Sequence, residues 1–197
     1  MYIVTGMDNS GKTTLVRRMS EELGLPVVKS MGPDHTLDEK FLWTLDQMSR
    51  EKTIPGSVIY DRFLPLEEMV YGKVLRGNPI FHLKDPYMKT LKDLNPIIIY
   101  TRPSSKTIFN WDGREQMEGV IEQKEKLLDA WDDLMWGLMA RGWDIRVYDY
   151  KAEKEGHHQI APHHLIYSLG ELLGRNTDSN DEGCSCDCCH NDCEEED

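Results

Sequence analysis

Residues 6–14 read Gly-Met-Asp-Asn-Ser-Gly-Lys-Thr-Thr, which satisfies Gly-x-x-x-x-Gly-Lys-[Ser/Thr] at every fixed position. The chemistry this spacing supports is the holding of a polyphosphate. Gly6 and Gly11 free the backbone to curl, so that the N–H groups of Asn9, Ser10, Gly11, Lys12, Thr13 and Thr14 converge on phosphate oxygens. The Lys12 ammonium reaches the β- and γ-phosphates, and the Thr13 hydroxyl is a ligand for Mg²⁺. A second pair stands at Asp61-Arg62. A carboxylate there suits the hydration shell of the metal. An adjacent guanidinium clamps a second phosphate through parallel hydrogen bonds. Together these imply ATP, Mg²⁺ and an acceptor.

Both motifs need a scaffold that places them on one edge, and the intervening sequence supplies it. Tyr2-Ile3-Val4-Thr5 is an apolar, β-branched run of the kind buried in parallel sheets, and it leads directly into the loop. Leu15, Met19 and Leu23 repeat at helical spacing before Gly24. Pro26–Ser30 reads as a second strand, residues 37–50 as an amphipathic helix, and Ser57–Tyr60 as a third strand that Asp61 closes. Helices are expected over Leu66–Leu75 and Asp85–Leu94, then a strand over Ile97–Thr101. Gln116–Met139 forms the longest amphipathic stretch, Asp144–Tyr148 a fifth strand and His163–Gly174 a last helix. Strands alternating with helices predict a three-layer α/β fold of the P-loop type: a five-stranded parallel sheet flanked by helices, with its site at the strands' C-terminal ends.

The chain resembles the thymidylate kinase family. The resemblance rests on Gly-x-Asp-x-x-Gly-Lys-Thr-Thr followed some fifty residues later by Asp61-Arg62-Phe63, and the stretch through Tyr71-Gly72 is similar to the shorter enzymes of this kind encoded by bacteriophages. It covers residues 1–174 and implies a nucleoside monophosphate kinase acting on a deoxynucleotide, with dTMP the family default. The resemblance implies that Asp8 faces the acceptor sugar, that Arg62 grips the acceptor phosphate beside Asp61, and that Tyr71 bounds the 2′ side of the sugar. Members without an arginine after the loop aspartate supply one from a lid. Asn9 occupies that position here, which points to Arg114 in a lid over residues 103–117, with Arg102 as its rival. The resemblance also admits a homodimer, the common state of related kinases.

Two alternatives remain at this level. One is a deoxynucleoside kinase acting on a 5′-hydroxyl, which needs a carboxylate base. After the second strand the chain reads Lys29-Ser30-Met31-Gly32-Pro33, with no acid before Asp34, which favours a phosphate acceptor. The other is a regulatory ATP-binding protein with no small acceptor.

The net charge of −12 over 197 residues is concentrated at one end. Residues 178–197 hold nine acids and no Lys or Arg, so the rest carries 23 basic against 26 acidic residues. That balance argues against long nucleic acid as a partner. No apolar run approaches the roughly 20 residues of a membrane span, and the first strand leaves no room for a signal peptide, so a cytoplasmic setting is expected. Residues 1–175 are expected to form the kinase domain and 176–197 an acidic, disordered tail holding all five cysteines. Its Cys and His density suits Zn²⁺ or Cu(I), but it lacks the paired spacing of a structural zinc site. His157-His158 and His163-His164 are read as a linker and helix start.

Overall fold

The computed structural model describes residues 1–32, 34–110, 118–151, 167 and 169–172. Five parallel strands, β1 (Tyr2–Thr5), β2 (Val27–Lys29), β3 (Ile59–Asp61), β4 (Ile97–Thr101) and β5 (Asp144–Tyr148), form one sheet in the order β2-β3-β1-β4-β5. The helices are α1 (Lys12–Leu23), α2 (Leu37–Thr53), α3 (Leu64–Glu67), α4 (Lys73–Arg76), α5 (Pro86–Asp93), α6 (Ser105–Ile108), α7 (Lys124–Met139) and α8 (Leu169–Leu172). A π-helical turn, Glu68–Gly72, joins α3 to α4.

The strands are short and apolar because both faces are covered. Ile3, Tyr60, Ile98, Tyr100 and Ile145 face a core built with Met48, Leu91, Leu127, Trp131 and Met135. Their neighbours Val4, Ile59 and Ile99 face a smaller core formed with Leu15, Val16, Met19 and Leu172. This strict alternation fixes the register, since a slip of one residue would exchange the two faces. Val4 pairs with Asp61 on one side and with Ile99 on the other. The chain therefore leaves β1, β3 and β4 at one level, where Thr5 leads into the phosphate loop, Asp61 into Arg62, and Thr101 into Arg102.

Several boundaries differ from the periodicity. The helix expected over Leu66–Leu75 begins at Leu64 and is interrupted by the π turn. Within that turn, a Cβ on Gly72 would meet the Cα of Pro79 at 2.8 Å, so only glycine allows this approach. The helix expected over Gln116–Met139 starts at Lys124. Gly119, at φ 81°, sits in the turns before it, and residues 116 and 117 lie outside the described set. Within the expected lid, α6 forms a helical turn that apolar spacing does not signal. Of the last helix, Leu169–Leu172 is described and helical.

Candidate active site

The phosphate loop is held from below. Gly6, at φ 136°, lies against β4: a Cβ there would meet both the carbonyl and Oγ1 of Thr101 at 2.6 Å. Ser10 Oγ and Thr101 Oγ1 are 2.5 Å apart, and Thr101 Oγ1 donates to the Thr5 carbonyl at 3.0 Å. Gly11, at φ 90°, has the ring of Tyr150 directly above it. The loop then opens α1, whose N-terminal dipole faces the same space.

That space is a cavity of about 540 Å³ lined by residues 8–15, Arg18, Arg62, Tyr148 and Tyr150. Lys12 is buried and donates to the Met7 carbonyl at 2.6 Å, with Asp8 Oδ1 at 3.8 Å. Burial first, and the charge of Arg62 second, pull its ammonium down to about 8. Arg18 and the two tyrosines had no place in the sequence reading. They enter because β5 ends beside the start of α1, a proximity no local pattern carries.

Arg62 sits at φ 72°, in the left-handed region, with its N–H on the Val4 carbonyl at 2.9 Å. This kink takes the chain out of the sheet just as it passes the loop. Its guanidinium donates to Asp8 Oδ1 at 2.5 Å and to Glu67 Oε1 at 3.0 Å. Tyr71 donates to the other oxygen of Asp8 at 3.2 Å. Burial would raise the Asp8 carboxyl, but Lys12 and Arg62 outweigh it and hold the group below its ordinary range. Burial likewise opposes the charge of Arg62, yet Glu67 and Asp8 push its pKa up. Glu67 is the reverse case: burial lifts it above the usual carboxylate range despite Arg62 and Lys12. The Tyr71 phenol is raised by burial first and by Asp8 second.

Beyond Arg62 lies a second cavity, of about 280 Å³, whose walls include Ser30, Asp61, Glu67, Glu68, Tyr71 and Arg76. Thr13 and Arg62 line both cavities. The fold thus brings Asp8, Lys12, Thr13, Asp61, Arg62 and Tyr71 together at one junction. Their sources are the phosphate loop, the first turn of α1, the end of β3 and the π turn.

The other candidates are distributed differently. Asn9 turns its side chain away from Lys12 and donates to the carbonyls of Thr107, Ile108 and Asn110 at 3.2, 3.2 and 2.7 Å. It ties the phosphate loop to the first half of the expected lid. Arg114 lies outside the described residues. Its rival Arg102 is committed elsewhere: Nε and Nη2 pair with the two Asp132 oxygens at 2.8 and 2.9 Å, and Nη1 donates to the Pro103 carbonyl at 2.8 Å. Glu67 was visible in the sequence without a role. Its direction depends on the turn at Phe63-Leu64-Pro65, which folds residue 67 back onto residue 62.

The donor set at the junction is suited to Mg²⁺. Thr13 and Asp61 offer a hydroxyl and a carboxylate to the same cavity, and hard oxygen ligands are what that ion takes.

No protein-family profile matches the chain, and no curated protein matches it in sequence. Solved structures do match in shape. The YorR protein of Bacillus subtilis, in complex with phosphorylated GDP, superposes over 80% of this chain and 99% of its own, at TM-score 0.57 and 17% identity. A NadR protein in complex with NR matches over 81% of this chain and 47% of its own, at TM-score 0.50 and 21% identity. A deoxyadenosine kinase from M. mycoides with bound dATP covers 77% of this chain and 92% of its own, at TM-score 0.49 and 20% identity. At these identities the likeness is one of fold. It agrees with the five-stranded parallel sheet flanked by helices.

Proposed function

We propose that this protein is an ATP-dependent kinase that transfers the γ-phosphoryl group to a deoxynucleoside monophosphate, dTMP first among them, giving the diphosphate for nucleotide biosynthesis. The observation that carries this reading is the pair of cavities meeting at Thr13 and Arg62. One has the loop, lysine and helix terminus of a triphosphate site. The other has a guanidinium at its mouth. The nucleotide in the YorR structure adds support, since it occupies a protein of the same architecture.

Each residue has a task in this reading. Lys12 and the loop amides hold the donor phosphates. A guanidinium has five N–H donors, and Arg62 uses two of them on Asp8 and Glu67. Three remain for the acceptor phosphate, and the two carboxylates fix the plane of the fork. Asp8 and Tyr71 bound the sugar. An oxygen of the acceptor phosphate attacks the γ-phosphorus, the new O–P bond forms, and the bond to the β-bridging oxygen breaks with release of ADP. Thr13 and Asp61 would hold Mg²⁺, which supplies charge neutralisation between the phosphates. Arg114 is the cation assigned to the transferred group. The remaining assignments are a kinase domain over residues 1–175, small nucleotides as partners, a homodimer and a cytoplasmic setting.

A second reading, phosphorylation of a nucleoside 5′-hydroxyl, gains from Glu67. The sequence argument against it was that no acid follows β2, yet α3 delivers a carboxylate with a raised pKa to the acceptor cavity. A carboxylate raised above its ordinary range is a stronger proton acceptor than an ordinary one. An ADP-release assay across the nucleosides and monophosphates of every base decides between them. Turnover confined to monophosphates is the expected result. Turnover confined to nucleosides transfers the role of base to Glu67. ATP consumption indifferent to every added compound refutes both readings and leaves a regulatory ATPase.

A further inference from the structure

A third cavity, of about 600 Å³, lies against a different face of the segment 64–76 and shares no lining residue with the two cavities at the junction. Its floor is apolar, with Met69, Phe81 and Leu134 all buried. Phe81 is aromatic-packed from behind by Phe41 and Tyr87, with ring centroids 5.0 and 5.6 Å away, which makes the floor rigid. At the rim stand Lys73, Lys84 and Arg141, each exposed, and none forms an ion pair with another described residue. Asp133 is the single carboxylate in the lining.

The combination selects a ligand chemistry. A floor of this kind takes a planar ring, and the rim takes more than one negative charge within a few ångströms of it. A fatty acid offers one charge and no ring, and a nucleic acid strand would need a basic track beyond the rim. We propose that this cavity is a second nucleotide site, separate from the phosphate loop, with the base on the apolar floor and the phosphates on Lys73, Lys84 and Arg141. It does not depend on the reading of the junction as a kinase centre. It lies on the same helical segment whose Glu67 and Tyr71 face Arg62 and Asp8.

The test is calorimetric titration of the full chain with ADP, and with adenosine as the uncharged control. Wild type is expected to take up ADP at two sites. Lys12→Ala disables the loop and leaves binding of one ADP per chain. Adding Lys73→Glu and Arg141→Glu to that variant weakens the remaining binding by roughly tenfold or more, as loss of two charge-assisted contacts requires. Both positions are exposed, and the Lys73→Glu/Arg141→Glu variant with Lys12 intact shows the fold is kept by retaining the loop site. Adenosine binds the Lys12→Ala variant far more weakly than ADP. The proposal is overturned if Lys12→Ala abolishes all ADP binding, or if the remaining binding ignores the charge reversal. It is also overturned if adenosine binds as well as ADP. A concentration-dependent rise in mass that the charge reversal abolishes, without ADP binding in Lys12→Ala, makes the face a dimer contact and overturns it too.

Discussion

Replacing Arg62 separates chemistry from conformation at the junction. The side chain makes two charge-assisted contacts within the protein and has three N–H groups left for an acceptor. Two such bonds to a phosphate, at about 1.5 kcal/mol each or more, amount to about 3 kcal/mol, and therefore to roughly a hundredfold in kcat/KM for the acceptor. Arg62→Ala should show that loss while KM for ATP changes little, because Lys12 and the loop remain. Arg62→Lys should recover only part, since an ammonium keeps the charge but not the fork. The folded state suffers separately. Asp8 and Glu67 lose their shared cation, and the left-handed backbone at φ 72° persists with alanine. Arg62→Gly removes the same guanidinium but accepts that backbone, so it should be more stable than Arg62→Ala by up to about 1 kcal/mol, or roughly 2–4 °C in Tm. Glu67 already has a folded pKa above its unfolded value. Its contribution is therefore complete below the unfolded pKa and is lost as pH rises through the folded one. Without Arg62 that loss should steepen. Steady-state kinetics with varied acceptor, and thermal melts against pH, give all of these quantities. An acceptor kcat/KM within about threefold of wild type refutes the assignment of Arg62. So does activity restored by glycine.

Three further outcomes are expected. The Lys12 ammonium, drawn down to about 8, must be charged to hold phosphates, so ATP affinity should fall towards tenfold per pH unit above about 8, with proton uptake on binding there; affinity flat to about pH 9 contradicts it. Gly6→Ala would place a Cβ 2.6 Å from a backbone carbonyl that cannot yield, and should lower stability by about 2–4 kcal/mol. Gly24→Ala, at φ 65° with open space around it, should lower stability by only about 1 kcal/mol, and equal melting shifts would refute the steric argument. Asn9→Gly keeps the left-handed loop backbone but removes the amide whose two N–H groups are shared among three carbonyls, so amides of residues 107–110 should exchange faster by roughly fivefold per lost kcal/mol; unchanged protection would free the lid segment from the loop.

The two motifs were legible because each is a local matter. The backbone around Gly6 and Gly11 answers to residues within one turn, and the apolar runs at Tyr2–Thr5 and Ile97–Thr101 announce burial on both faces by themselves. The π turn was not legible. Its register depends on Gly72 lying against Pro79, a contact that helical periodicity in 66–75 does not encode. Asn9 enters the phosphate-cradle reading through its backbone N–H; that its side chain bonds carbonyls about a hundred residues further on has no local signal. Arg102 carried no sign of its partner, since Asp132 comes from another element.

By itself, then, the sequence determined that a phosphate-loop motif follows the first strand of a parallel α/β sheet and that Asp61-Arg62 ends another. Only the tertiary structure decided what the second motif touches. Strand register brings Arg62 level with Val4, its left-handed backbone turns it towards Asp8, and the α3 turn closes Glu67 onto its other side. Charges found some fifty residues apart in sequence become one cluster because parallel strands share a level only after both faces of the sheet are packed.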